Sequence, residues 1–437
     1  MAAGPQILSH DEVRADLWRP LAGASKSYLA VLAVLSAVTL WGLFAWGYQI
    51  HVGIGVAGIR RPVFWGFYLV NFVFWIGISH AGTLISAILR LTDANWRKPV
   101  TRAAEAITVF ALMIGGLFPL IHLGRVWLFY WLFPYPSSRL IWPNFRSPLM
   151  WDVVAISTYL TGSMIFLYLP LIPDIAQLGK KATGWRRLYR VLALGWTGSD
   201  REWHALERAM KLMAGIILAV AVSVHSVVAW DFAMALAPAW HSTIFAPYFV
   251  VGAIFSGLAA LIIAMAVIRR SMHLERYLTP HHFHNLSKLL LLMSLLWLYF
   301  TFAEYLTTWY GNEPKEINVF NAKVHGHYSP EFRIMVFVNF VVPFVLLGIR
   351  RLRSITTATI ASVGVLLGMW LERYLIIIPS LATPRLTAAW GRYSPSWVEI
   401  SISVATFASM AALYLIFAKL FPIVSVWEYE APVAEEQ

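Results

Sequence analysis

Apolar residues along this chain neither alternate nor recur at single-face helical spacing; they run on without a break between short polar segments. A helix that crosses a bilayer needs about 20 such residues in a row. Runs of that kind lie at roughly 28–50, 63–90, 103–133, 149–178, 208–237, 243–268, 287–311, 331–349, 355–379 and 396–421. Their continuity excludes a β-barrel, whose strands alternate. Several are longer than a span requires, which predicts helices that tilt or project past the hydrocarbon. The expected fold is all-α: a polytopic membrane protein of about ten transmembrane helices.

Composition narrows the class. Of 437 residues, 59% are apolar and 13% charged, against about 45–50% and about 25% in soluble chains. That excludes an ordinary soluble enzyme and a disordered or fibrous protein. The net charge of +12 comes from 34 Lys and Arg against 22 Asp and Glu. These bases sit in short loops, so they report topology rather than nucleic acid. One set of loops holds Arg90, Arg97, Lys98 and Arg102; Lys180, Lys181, Arg186, Arg187, Arg190 and Arg201; Arg269, Arg270 and Arg276; and Arg350, Arg351 and Arg353. The opposite set is sparser, with Arg60, Arg61, Arg139, Arg146, Lys315, Lys323, Arg385 and Arg392. The first set is expected in the cytoplasm, with both termini inside. The segment Met1–Pro20 is polar and does not resemble a signal peptide. The chain has no cysteine, which excludes disulfides, thiolate-held iron–sulfur clusters and covalent c-type haem.

A weak repeat is visible, because the second to fifth and sixth to ninth spans each form a run of four. Gly66-Phe67-Tyr68 parallels Ala246-Pro247-Tyr248, and Ser147-Pro148 parallels Ser329-Pro330. Proline suits a first helical turn; chance likeness between apolar helices is the alternative.

Ionisable groups at membrane depth are costly, so each is a functional candidate. His122 near the outer end of the third span and Asp152 in the first turns of the fourth are expected at one depth on neighbouring helices. Such a pair can accept the two protons of a hydroquinone, or it can be a buried hydrogen bond tying two helices. Arg125, three residues on, is expected on the face of His122, to hold an oxygen or to snorkel outward. Trp127 and Tyr130 can wall a flat ring or belong to an interfacial belt. His80 is expected nearer the inner side; His225, Asp231, Glu304 and Glu372 lie at other depths. These form a proton relay or are separate hydrogen-bonded interior groups. Glu372 and Arg373 are adjacent, not on one helical face, so no salt bridge is expected between them. Haem ligation is not expected: His122 and His225 are the only plausible outer pair, and His80 has no evident partner on the inner side. The cluster His281-His282-Phe283-His284 reads as a solvated loop.

Several segments together resemble the NrfD/PsrC family, membrane subunits of quinone-linked oxidoreductases. They are Gly77-Ile78-Ser79-His80-Ala81-Gly82-Thr83-Leu84, Pro119-Leu120-Ile121-His122-Leu123-Gly124-Arg125 and Arg146-Ser147-Pro148-Leu149-Met150-Trp151-Asp152. Two more are Val224–Phe232 and Trp240–Phe249. Within the family, the chain is most similar to the ActC-type subunit of bacterial alternative complex III. The resemblance implies two four-helix bundles, over 62–237 and 243–380, flanked by helices over 28–50 and 395–421, with tails over 1–27 and 422–437. It implies a bacterial cytoplasmic membrane protein that oxidises menaquinol or ubiquinol at His122 and Asp152. It also implies proton-path roles for His80, Asp231 and Glu304, and no haem or cluster in the chain itself. The implied partners are an iron–sulfur subunit on the outer face, a second NrfD-like membrane subunit and cytochrome c-type subunits. A secondary transporter or proton channel is the alternative; it should place its site at the midplane. A purely structural anchor leaves the buried ionisable groups unexplained.

Overall fold

The computed structural model describes residues 9–133, 147–180, 183–383 and 391–430. Arg139, Arg146, Lys181 and Arg385, used above for topology, lie outside the described residues. In chain order the helices are α1 (His10–Ala22), α2 (Lys26–Val52), α3 (Gly66–Leu91), α4 (Thr101–Gly115), α5 (Leu117–His122) and α6 (Pro148–Tyr168). Then come α7 (Ile172–Lys180), α8 (Leu188–Leu192), α9 (Asp200–Ala233), α10 (Phe245–Ser271), α11 (Pro280–Gly311) and α12 (Pro314–Val324). The last are α13 (Ser329–Val336), α14 (Val342–Gly348), α15 (Ile355–Ala382), α16 (Trp397–Leu420) and α17 (Trp427–Glu430).

Among the described residues, ten helical segments of 20 to 34 residues are long and apolar enough to cross a membrane, as the hydropathy runs predict. They are α2, α3, α4 with α5, α6 with α7, α9, α10, α11, α13 with α14, α15 and α16. The protein is an integral multi-pass membrane protein. Only helices satisfy every backbone group within such a segment, and α2 turns Leu29, Val34, Leu40 and Phe44 outward, as a lipid-facing helix should.

Helix contacts fall into two groups. The first joins α3, α4, α6 and α9; the second joins α10, α11, α13–α14 and α15. They meet where α3 packs on α10 and α15, while α2 pairs with α16 along one side. The tight α3–α4 contact depends on Gly82, where a Cβ would lie 2.0 Å from the Ala104 carbonyl oxygen. One face carries both ends of the described chain. On this tail face Arg102 binds Asp174 at 2.6 Å, and Arg97 binds Glu428 at 2.7 Å. Thus 423–430 is tucked into the helix ends, with Ile423, Val424, Val426 and Glu428 buried.

Three expectations need correction. The third span ends at His122, not near 133: Gly124 takes φ +68° and Arg125 leaves helical geometry at φ −102°, ψ 77°. The aromatic stretch Val126–Leu132 forms separate tight turns beyond it. Arg125 therefore does not share a helical face with His122. The histidine cluster at 281–284 is not a loop; it is the first turn of α11, entered through Pro280.

Candidate functional site

On the face opposite the tails, a pocket of about 280 Å³ opens in the first helix group. Its walls are mostly apolar, with Leu69, Phe72, Phe118, Leu149, Phe232 and Trp240. Three ionisable side chains, His122, Asp152 and Asp231, reach it from three helices. His122 is the last residue of α5, where the chain stops being helical. Asp152 lies just over one turn into α6, whose start is set by Pro148 in the first turn. Asp231 lies in the last turn of α9.

Aromatic side chains and one amide fix the imidazole. Trp65 stacks on His122 at 3.9 Å between centroids and 17° between planes, and Tyr68 meets it edge-on at 6.3 Å and 75°. Gln49, fully buried on α2, donates through Nε2 to the Ile121 carbonyl at 2.8 Å and accepts from the Tyr68 hydroxyl through Oε1. The flanking helix thereby braces both the backbone before His122 and the ring beside it.

The carboxyls of Asp152 and Asp231 lie within hydrogen-bonding reach of each other. Two carboxyls bond in this way only when one of them carries a proton. Asp152 Oδ1, Asp231 Oδ1 and His122 Nδ1 are buried without a hydrogen-bond partner among the described residues. Buried polar atoms are normally paired, so three orphans converging on one pocket point to a ligand that pairs them. Small-molecule pockets hold about 300–1,000 Å³ and few polar groups in apolar walls. This one suits a single flat ring system with hydroxyls to offer.

The structure brings Asp231, expected along a proton route, into the pocket itself. It does not bring Arg125, Trp127 or Tyr130 there: all three are exposed and absent from its lining. Trp65 and Tyr68 line the pocket instead. His80 sits near the middle of α3 rather than toward one end, and it does have a partner. Its ring lies 4.4 Å from that of His225, close enough to exclude a porphyrin between them. Around this pair, Tyr159 stands 4.6 Å from His80 and donates to the Ser79 carbonyl at 3.2 Å. Thr108 donates to the same carbonyl at 2.7 Å, and Ser86 binds the buried Glu105. Polar groups thus run from His225 and His80 toward the tail face, and Asp231 lies further along α9 toward the pocket face. Sequence reading missed Gln49, Trp65, Tyr68, Tyr159 and Glu105. Only Glu105 carried a signal, being a carboxylate inside an apolar run.

Glu372 and Glu304 belong to the second group. Contrary to expectation, Glu372 and Arg373 do form an ion pair, with both side chains only 2% exposed. The i, i+1 rule holds for solvated helix surfaces, whereas burial between helices bends both chains into one space. Glu372 also accepts from Tyr248 and Trp297. Glu304 accepts from Ser242 at 2.6 Å. Above them, on α12, burial holds the Lys323 amine at about 8, against the opposing pull of Glu304 and Glu316.

Fold and site together define a class: helical, ten-span membrane proteins with an acid-lined, ring-sized pocket at one membrane face. Across residues 55–385 the chain matches the polysulphide reductase, NrfD family, and it belongs to that family. It is 24% identical to a selenate reductase subunit of Mesobacillus selenatarsenatis, over 91% of this chain and 94% of that protein. It is 22% identical to the Hdr-like menaquinol oxidoreductase integral membrane subunit of Archaeoglobus fulgidus, over 96% and 99%. A putative dimethyl sulfoxide reductase membrane subunit of Halobacterium salinarum is 28% identical over 56% of this chain and 52% of its own length.

Proposed function

We propose that the chain is the quinol-oxidising membrane subunit of an electron-transfer complex, with His122, Asp152 and Asp231 as its quinol site. The observation that carries this reading is the convergence of three unpaired buried polar atoms in one apolar, ring-sized pocket. The name of the Archaeoglobus relative, a menaquinol oxidoreductase subunit, supports it.

Oxidation of a hydroquinone to the quinone releases two protons and two electrons. His122 Nδ1 takes the proton of one hydroxyl, since a neutral imidazole nitrogen without a partner can accept one. The Asp152–Asp231 pair, holding one proton between two carboxyls, takes the other through a free oxygen. Trp65 and Tyr68 keep the imidazole in the plane it needs, and the apolar walls hold the ring while its tail reaches the lipid. With no cysteine in the chain, the electrons pass to an iron–sulfur partner on the pocket face. The motif likeness to the alternative complex III subunit adds a second NrfD-like subunit and cytochrome c-type subunits as partners. Bases concentrated on the tail-face loops favour a cytoplasmic tail face, so both protons leave on the outside. His225 and His80, running inward from Asp231, are the proposed route for a further, translocated proton, with Glu304 and Glu372 as its counterpart in the second group. A transporter fits less well, because its site belongs at the midplane.

The test is quinol turnover by the intact complex carrying His122→Ala or Asp152→Asn. Turnover should collapse while the complex still assembles. Full assembly with parental turnover in both variants would move the site elsewhere.

A further inference from the structure

On the tail face of the second group, a cavity of about 290 Å³ lies where α11 and α15 begin, lined by His281, His284, Ser287, Arg353 and Ser354 among others. Its electrostatics are one-sided. The charges that act on the His284 ring are those of Lys288, Arg353, Arg350 and His281, and no carboxylate is among them or among the lining residues. Several other bases on this face do have acidic partners: Arg90 and Arg97 face Glu428, Arg102 faces Asp174, Arg14 faces Glu430 and Arg276 faces Asp16.

The basic groups are also positioned. Arg353 Nε donates to the Leu347 carbonyl at 2.7 Å, and its Nη1 lies 3.4 Å from His284 Nε2. The guanidinium is thereby held at the cavity, with Nη2 not engaged in either bond. Crowding like charges around an empty space costs stability, and an anion in that space relieves it. The cavity stands at the ends of two membrane spans, which is headgroup depth. Basic pockets between spans at that depth take up anionic lipid headgroups.

We infer that this cavity is a phosphate site, filled by the headgroup of an anionic phospholipid from the adjoining leaflet. Arg353 and His284 grip the phosphate oxygens, and Lys288 and Arg350 hold it by charge. The site lies in the second helix group and does not depend on the quinol reading.

The experiment uses the full chain in its complex, delipidated in detergent, and follows thermal unfolding as lipid is added. Phosphatidylglycerol should raise the midpoint and phosphatidylcholine should not. In Arg353→Gln/His284→Gln the phosphatidylglycerol concentration for half the shift should rise by about fivefold to tenfold. Arg201→Gln, which removes an exposed base elsewhere on the same face, should leave it unchanged. Native mass spectrometry gives a second readout: one phosphatidylglycerol retained by the parent and lost by the double variant. If inorganic phosphate alone reproduces the whole shift, the phosphate site stands and its source is soluble. An unchanged response in the double variant, or an equal loss in Arg201→Gln, overturns the proposal.

Discussion

The two helix groups bury ionisable side chains in opposite ways. At one face of the first group lies a pocket of about 280 Å³ where His122 Nδ1, Asp152 Oδ1 and Asp231 Oδ1 have no partner among the described residues. At the matching face of the second group a polar cavity of about 350 Å³ opens beside His241, Glu304 and Glu313, but beneath it only about 30 Å³ remains between Tyr248, Glu304, Lys323 and Glu372. That is room for a water or two. There Glu372 is held by Tyr248, Trp297 and Arg373, and α12 lays Phe320 and Lys323 over the opening. A buried charge surrounded by partners holds helices together, whereas buried polar atoms without partners around a cavity await a ligand.

Breaking the open side should have the largest effect. Losing a positioned acid–base group costs about 10²- to 10⁴-fold in rate, so His122→Ala and Asp152→Asn should each lower quinol turnover by that order. Asp231→Asn should lower it too, although sequence alone put this residue on a path rather than in the pocket. Turnover per assembled complex is the measurement.

Breaking the closed side should cost stability instead. Removing one partner of a buried ion pair costs about 3–5 kcal/mol, so Glu372→Gln should reduce assembled yield and lower the unfolding midpoint. Glu372→Gln/Arg373→Met, which leaves no lone buried charge, should recover part of that loss. Quinol turnover per assembled complex should fall far less in both than in the pocket variants.

Gln49→Leu tests the brace between α2 and the pocket. It strands the Tyr68 hydroxyl and the Ile121 carbonyl, each worth about 1–3 kcal/mol when buried unpaired. The expected result is a rise in KM together with a fall in kcat, since ring wall and base are both loosened. A loss of stability with unchanged kinetics would limit Gln49 to a structural role.

The smallest effect concerns Lys323. Burial lowers its amine from 10.5 to about 8 in the folded protein. Between those values the unfolded chain binds more protons than the folded one, so stability rises with pH across that window. Below it, the full cost of a buried ammonium is present. Thermal midpoints measured from pH 8 to pH 10 should therefore climb in the parent, and Lys323→Met should flatten the slope. Equal slopes in the two proteins would show that this lysine does not set the pH dependence.

The span pattern was legible because membrane helices advertise themselves in unbroken apolar runs. His122 and Asp152 were legible for a related reason: an ionisable residue inside such a run stands out. Trp65 and Gln49 were not. Trp65 lies just before α3 and joins the pocket only through packing, and Gln49 reaches it from a helix that sequence treats as a flank. The end of the third span was hidden because Val126–Leu132 is as apolar as the helix before it. Only the left-handed turn at Gly124 stops the helix. The Glu372–Arg373 pair was misjudged from a surface rule that burial overrides, and the His80–His225 contact needed the packing of α3 on α9.

The most direct measurement is photolabelling of the intact complex with a ring-substituted azidoquinone, followed by mapping of the modified peptides. A quinol site at His122, Asp152 and Asp231 predicts label in the segments around Phe118–His122 and Leu149–Asp152, displaced by excess quinol and absent from Asp152→Asn. Label confined to the second group, around Tyr248, Glu304 and Tyr305, would contradict it.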